Sequence, residues 1–265
     1  MRKLLSILII GLLLVGCSTP TKEETLDIGV AFYPMKEILE LIEDDLKQEN
    51  INLNIHEFLD YQTPNNLMKD KELDANMIQH QYFLEQFNIA KDSDLEIILP
   101  IYYATFALYS ANYESLDDIP DGATITLADD ITNVSRSLYL LHQAGLLEMD
   151  LTSPTTLTFD DIISNPKNLN LTDQVPLTSL APRYVETELA IMYPTYAKSL
   201  ELEGDEQRLY VEKQDDITRG YAISLAARPD NKDSKAIKLL VELLQSDKVK
   251  EYLIENYAWA SEPAF

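Results

Sequence analysis

The cysteine at position 17 is the one thiol of the chain, and the residues before it indicate its chemistry. Arg2 and Lys3 give a basic start, and residues 4–15 form an almost unbroken apolar run that a glycine separates from the cysteine. This order is typical of a bacterial secretory signal, and its end resembles a lipobox. The run is shorter than the roughly 20 residues that span a membrane. We therefore predict a signal peptide over residues 1–16 and a Cys17 thiol that receives a diacylglyceryl group, which leaves it neither a catalyst nor a metal ligand.

The other side chains that could do chemistry do not form a recognisable set. His56, His80 and His142 are far apart in sequence, and the chain has only seven glycines, which argues against nucleotide-binding loops. No serine-hydrolase elbow, glycine-rich phosphate loop or HExxH motif occurs in the sequence. Adjacent acidic residues are abundant, but among 45 acidic side chains such pairs are typical of exposed turns and helix caps. The sequence predicts no enzyme, no metal site and no cofactor.

The composition is that of a globular protein with a strongly acidic surface. Hydrophobic residues make up 46% and charged residues 25%, and the formal net charge is −24. A surface this negative repels nucleic acid and anionic lipid head groups, so we expect no nucleic-acid partner. Because the single cysteine carries the lipid, no disulfide framework is available, and an ordinary hydrophobic core must hold the fold.

Strand-like segments alternate with amphipathic helices along most of the chain, the order of an α/β protein. In the first half we predict strands at 26–32, 51–58 and 73–76, helices at 35–48, 65–71 and 80–88, and paired strands at 95–110 broken at Pro100. In the second half we predict strands at 123–128, 169–171 and 221–227, helices at 133–144, 160–164, 235–245 and 248–257, a helix leading into a strand at 181–193, and a C-terminal tail. One α/β unit, a connector, a second unit and a return to the first form a two-lobe plan.

Three segments carry a resemblance to a known family. They are ELDANMIQHQYFL at 72–84, the stretch 117–137 that ends DDITNVSRS, and NPKNL at 165–169. These segments resemble the methionine-binding lipoproteins of ABC importers, the MetQ/NlpA family, whose stretches read LDANxFQHxPYL, SLDELPDGAxI…NDPTNxGR and ENPKNL. Weaker similarity runs in the same order from residue 28 to residue 265.

The resemblance implies a type II periplasmic-binding-protein fold, an α/β fold of two lobes with two hinge crossings and the ligand enclosed between the lobes. The crossings are expected near residues 108–112 and 219–223. The implied organisation is a lipidated tether at 17–25, a first lobe at 26–109 and 220–265, and a second lobe at 110–219.

The resemblance also implies three ligand-binding residues. Arg136 corresponds to the family's arginine that holds the ligand carboxylate, and a guanidinium can do so with two parallel hydrogen bonds. His80 corresponds to a pocket histidine, and Tyr61 to an aromatic wall.

Three further residues expected at the ligand depart from the family pattern. Met77 replaces an aromatic residue and Phe83 a tyrosine, and both changes keep an apolar wall. Tyr193 replaces an asparagine that helps fix the amino-acid head group, and a tyrosine cannot offer an amide's paired donor and acceptor. The ligand is therefore L- or D-methionine, or else a different amino acid, a short peptide or an amino-acid derivative.

The expected function is that of a substrate-binding protein, lipid-anchored through Cys17 on the extracytoplasmic face of the cell membrane. Its expected partners are a small amino-acid ligand and the permease and ATPase of a methionine-type ABC importer. The alternative is a surface adhesin that keeps the fold and has no transport role.

Overall fold

The computed structural model describes residues 23–202, 204 and 207–265. The predicted signal peptide, Cys17 and most of the predicted tether lie outside the described residues. Among the residues described, no helix is both long and apolar enough to cross a membrane.

Strands and helices alternate within this part of the chain. The first elements are β1 (Glu24–Val30), α1 (Met35–Gln48), β2 (Ile51–Glu57), α2 (Thr63–Lys69), β3 (Ala75–Gln79), α3 (Gln81–Lys91), β4 (Glu96–Ala104) and β5 (Ala107–Ser110). The middle elements are β6 (Leu127–Ala128), α4 (Ile131–Gln143), β7 (Glu148–Met149), β8 (Ile162–Ser164), β9 (Gln174–Val175), α5 (Leu180–Thr187), β10 (Leu189–Met192), α6 (Pro194–Lys198) and β11 (Arg208–Val211). The last elements are β12 (Ile223–Ala227), α7 (Lys235–Leu244), α8 (Asp247–Tyr257) and β13 (Ser261–Pro263).

The larger sheet has six strands in the order β2, β1, β3, β12, β4, β13. The first three are mutually parallel, and β12, β4 and β13 pair antiparallel to their neighbours. Parallel strands need a crossover connection, and α1 supplies it between β1 and β2. This helix forms as predicted because Ile38, Leu39, Ile42 and Leu46 recur on one face, which is buried against β2 and α7.

The second lobe is built around a smaller antiparallel sheet in which β5 lies between β10 and β11. A bridge between Thr126 and Ala190 joins this sheet to the short parallel pair of β6 and β9. Helix α4 is buried throughout residues 132–141. Because that stretch includes polar residues, they must find hydrogen-bond partners inside the protein.

The chain passes between the two sheets twice, and the first passage comes earlier than predicted. Strand β4 ends at Ala104 and β5 begins at Ala107, so the passage lies at residues 105–106 and not near 108–112. The reason is that β5 finds its backbone partners in β10 and β11 of the second sheet. The chain returns to the larger sheet between the end of β11 and the start of β12. The crossing predicted near residues 219–223 lies at the end of this segment. The predicted residue boundaries of the lobes stay a prediction.

Two predictions about strands near β4 are wrong. Strand β4 continues through Pro100, where we predicted a break, and its pairing with β12 shifts register nearby, between Ile223 and Ser224. A proline has no N–H to donate to a β-ladder, and a register shift in the pairing accommodates the missing hydrogen bond. The predicted C-terminal tail is instead β13, which pairs along β4 and is extended by a hydrogen bond from the Ala264 N–H to the Ile101 carbonyl at 3.0 Å. The partner of β13 is distant in sequence, so no local pattern indicates it.

The second lobe has shorter regular elements than predicted. The helix predicted at 160–164 is a single 3-10 turn at Phe159–Asp161, followed by β8. Thr158 and Asp161 form a capping box that holds this turn. The strand predicted at 123–128 is reduced to isolated bridges and the two residues of β6.

Candidate functional site

A cavity lies between the two lobes, and most of its wall is aromatic. The cavity is narrow, with a volume of about 20 Å³, and five aromatic rings face it, those of Phe32, Tyr61, Phe83, Tyr193 and Tyr196. The polar side chains of its wall are Gln79, His80, Asn133 and Thr195. A concave, largely apolar site with a few placed polar groups is the usual form of a small-molecule pocket.

The ends of strands from both sheets position these side chains. Strand β3 leads directly to His80, which caps the N-terminus of α3, and β10 leads to Tyr193, the residue before α6. Strand β6 is followed by α4, whose first turn carries Asn133. Ligands of α/β proteins bind beyond the carboxyl ends of strands, and here three such ends from the two lobes converge on one cavity.

Arg136, expected at the ligand, is fully buried behind the cavity wall and is engaged by the protein itself. Its Nε and Nη2 donate to the two carboxylate oxygens of Glu212 at 2.9 and 2.6 Å. Nη2 also donates to the Ala104 carbonyl at 3.4 Å, and Nη1 donates to the Tyr193 hydroxyl at 3.0 Å. The guanidinium carbon lies 4.5 Å from the ring centre of Phe106. Burial acts to lower the pKa of Arg136, but the charge of Glu212 and its neighbours outweigh it and raise that pKa, while burial raises the pKa of Glu212.

Tyr193 stands between Arg136 and the cavity. Its hydroxyl accepts from Arg136 and donates to Asn133 Oδ1 at 2.7 Å, while Asn133 Nδ2 donates to Asp130 at 2.8 Å. The ring lines the cavity and lies 5.2 Å from the guanidinium carbon. Burial raises the pKa of Tyr193 to about 12, so its hydroxyl keeps its proton.

His80 is neutral in this site. It is 3% exposed, and burial together with the positive charge of Arg136 holds its pKa well below the ordinary value. Its Nδ1 accepts the backbone N–H of Phe83 at 3.2 Å. A neutral imidazole that accepts at Nδ1 carries its proton on Nε2, so the ring also offers one N–H donor.

Two polar contacts close the lobes over the cavity. The hydroxyls of Tyr61 and Tyr196 are 2.5 Å apart, and one of them donates to the other. Thr195 Oγ1 donates to the Tyr33 carbonyl at 3.2 Å. The hydrogen bond between these hydroxyls uses the proton of only one tyrosine. The other hydroxyl can therefore donate its proton to a ligand in the cavity.

The structure brings together most of the residues expected from the sequence and separates two of them. Tyr61, His80, Phe83 and Tyr193 line one cavity, whereas Arg136 lies behind Tyr193. Met77 is fully buried in the hydrophobic core of the larger lobe. Cys17 lies outside the described residues.

Sequence reasoning did not single out several residues of this site: Phe32, Gln79, Asn133, Thr195 and Tyr196 in the cavity wall, and Glu212 behind it. Asn133 lies inside the stretch 117–137 that carries the family resemblance, so a local signal existed for it. Thr195 and Tyr196 follow closely after Tyr193, which the resemblance placed at the ligand. Glu212 had no signal, since it is one of 45 acidic residues and is 76 positions from its partner.

No group of three or more histidine, cysteine, aspartate or glutamate side chains is placed to hold a metal ion within the described ranges. The side chains that line the cavity offer apolar contacts and hydrogen bonds from neutral groups.

Known proteins resemble this chain over nearly its whole described length. Methionine-binding lipoprotein MetQ of Bacillus subtilis is 34% identical over 234 residues, which cover 87% of this chain and 84% of the relative. D-methionine-binding lipoprotein MetQ of Escherichia coli O157:H7 is 30% identical over 247 residues, covering 92% and 90%.

A solved structure shows the same fold. The substrate binding protein of a methionine transporter from Streptococcus pneumoniae superposes with a TM-score of 0.82 at 28% identity, over 91% of this chain and 96% of that one. The α/β chain thus has the two-lobe periplasmic-binding-protein fold. The family model for the NlpA lipoproteins matches residues 26–265. The chain therefore belongs to the NlpA lipoprotein family.

Proposed function

We propose that this protein is the substrate-binding protein of an ABC importer and that it encloses methionine or a related small amino-acid ligand between its lobes. The observation that carries the proposal is the cavity, whose walls come from both lobes at the carboxyl ends of their strands. We propose the two lobes expected from the sequence, with the end of the first segment moved from residue 109 to the passage between the sheets at residues 105–106.

The arrangement of the wall supports a mechanism of closure. Tyr61, His80 and Phe83 come from the lobe of the larger sheet, and Asn133 and Tyr196 come from the other. A ligand that touches both sets binds the closed form better than the open form, and it shifts the population toward closure by that difference in affinity. The closed form is then the one that the permease and ATPase of the importer recognise.

The aromatic wall supports a ligand with an apolar, polarisable side chain. A thioether makes favourable contacts with aromatic rings, and the relatives named above bind methionine according to their names. We propose Tyr61, Phe83 and Tyr193 as wall residues and His80 as a neutral donor. Arg136 acts on the ligand through Tyr193, and Met77 supports β3 from the core.

The anchoring proposal rests on the sequence before residue 18. We propose that a lipid on Cys17 holds the protein at the extracytoplasmic face of the cell membrane. Membership of a lipoprotein family supports this placement.

Native mass spectrometry of the purified protein, followed by mild denaturation, tests the function. A co-purified mass equal to methionine, or a rise in melting temperature with L- or D-methionine, is the expected result. Phe83→Ala should weaken binding at least about tenfold, because removing an aromatic anchor from the centre of a binding site commonly costs about 2 kcal/mol or more. Phe159→Ala, in an exposed turn of the second lobe, is the matched control and should bind as the original protein does.

Absence of any bound ligand, together with no thermal response to either enantiomer or to other amino acids, would reject the receptor role. That outcome would instead favour a surface adhesin.

A further inference from the structure

We propose that Gln79 accepts a hydrogen bond from the α-ammonium group of the amino-acid ligand, and that a buried network of amide side chains orients its side-chain oxygen for this contact. The inference deepens the proposed function and rests on it, because the cavity must first bind an amino acid.

Three buried amide side chains join helix α2 to strand β3 beside the cavity. Asn65 and Gln79 exchange two hydrogen bonds of 2.7 Å, one from Asn65 Nδ2 to Gln79 Oε1 and one from Gln79 Nε2 to Asn65 Oδ1. Asn76 Nδ2 donates to the same Asn65 oxygen at 2.7 Å, and Gln79 Nε2 donates to Asn76 Oδ1 at 3.0 Å. None of the three residues is more than 2% exposed. The network therefore holds the Gln79 amide in one orientation.

This network uses both protons of the Gln79 amide and leaves its oxygen with capacity to spare. A side-chain amide has two N–H donors and an oxygen with two lone pairs. The two donors of Gln79 go to Asn65 and Asn76, whereas Oε1 accepts one bond, from Asn65. Gln79 lines the cavity. The hydrogen bond that it can still make with a ligand is therefore one that it accepts.

Other polar groups of the wall supply donors, which suit the carboxylate end of an amino acid. His80 carries its proton on Nε2, because its Nδ1 accepts a backbone N–H. Asn133 Nδ2 donates one of its two protons to Asp130 and keeps the other. An ammonium group has donors only, so it needs an acceptor. Gln79 is the wall amide whose protons are both used, and it can serve an ammonium group in no other role than acceptor.

Burial makes this acceptor important for affinity. An ammonium group that enters a largely apolar cavity without a hydrogen-bond partner is strongly destabilised. A hydrogen bond from a charged donor is stronger than one between neutral groups. Because the network already orients Gln79, the ligand does not have to order that side chain on binding. We therefore expect the contact to strengthen binding at least about tenfold.

Isothermal titration of the purified protein with L-methionine and with 4-(methylthio)butanoate tests the inference. The second compound is methionine with its ammonium group replaced by hydrogen, so the pair isolates that group. At pH 6.5 the α-amino group of methionine is protonated. The protein should bind methionine at least about tenfold more tightly than 4-(methylthio)butanoate.

Two variants separate the contact from general support of the cavity. Gln79→Met keeps the length of the side chain and removes the acceptor, and it should weaken methionine binding at least about tenfold while leaving the affinity for 4-(methylthio)butanoate nearly unchanged. Asn65→Leu lies outside the cavity lining and removes both bonds that Asn65 exchanges with Gln79, so it should show the same pattern. Gln81→Met is the matched control. This exposed glutamine also lies outside the lining and should leave both affinities unchanged.

Circular dichroism verifies that each variant is folded, and Asn65→Leu decides the outcome if Gln79→Met does not fold. Equal affinities of the original protein for the two compounds would overturn the inference and leave the proposed function standing. Variants that weaken both compounds equally, or that change neither affinity, would also overturn it. If neither compound binds and no ligand co-purifies, the proposed function fails, and the inference fails with it.

Discussion

Removing the charge of Arg136 should destabilise this protein, and the loss of stability should grow as pH rises. In Arg136→Met the apolar stem is kept, but Glu212 loses both hydrogen bonds from the guanidinium. The Glu212 side chain is 1% exposed, so it can neither reach water nor stay ionised at low cost. We expect it to take up a proton in the folded state.

The magnitude follows from that proton. An unfolded glutamate has a pKa of about 4.3, so holding it protonated at pH 7.5 costs about 4 kcal/mol, and at pH 5.5 about 1.5 kcal/mol. The folded variant binds one proton more than its unfolded state, and its stability therefore falls as pH rises above the unfolded pKa. The loss at pH 7.5 agrees with the ~3–5 kcal/mol measured when buried ion pairs lose one partner.

Urea unfolding at both pH values, followed by circular dichroism, measures this effect. Arg136→Met combined with Glu212→Leu should recover all but about 1.5 kcal/mol, because it removes both charges and keeps the volume. Arg219→Met is the matched control, since its side chain is 66% exposed and pairs with an exposed aspartate, and it should change stability by no more than ~0.5 kcal/mol. A cost of Arg136→Met that is the same at both pH values, or the same in the double variant, would refute the reasoning.

Two further predictions concern His80 and Cys17. Because the folded pKa of His80 is depressed, the unfolded state binds more protons below about pH 6.5, and stability should fall with decreasing pH by up to ~1.4 kcal/mol per unit. His80→Asn, which can still accept the Phe83 N–H, should lose less stability than the original protein between pH 7.5 and 5.5 in urea titrations, and equal losses would contradict this account. Cys17→Ser should move the protein from the membrane fraction of the expressing cells to the supernatant after ultracentrifugation, and unchanged membrane association would argue against the lipid.

The sequence correctly predicted the elements that form because of residues close together in the chain. The helix at 35–48 forms as predicted because its apolar residues recur at helical spacing and bury one face. The tail could not be read as β13, since its pairing depends on β4 across most of the chain. Likewise, β5 belongs to the second sheet only because β10 and β11 flank it.

Only those site residues that lie in segments resembling the family could be predicted from the sequence. His80, Phe83 and Tyr193 could be placed at the cavity from their segments, but the pairing of Arg136 with Glu212 depends on two residues that the fold alone brings together. The position of Met77 in the core could not be predicted from the sequence either. Every residue of β3 is buried, so its pattern does not distinguish the side that faces the core.

The strand order of the larger sheet has a consequence for how the protein is made. Strand β12 lies in the middle of that sheet, between β3 and β4, yet it is synthesised after the whole second lobe, more than a hundred residues later than its partners. An incomplete chain therefore leaves both of those strands with open edges, which favour pairing with other chains. For the exported lipoprotein proposed above, this order means that the chain cannot complete its larger sheet until β12 has been synthesised, which delays folding.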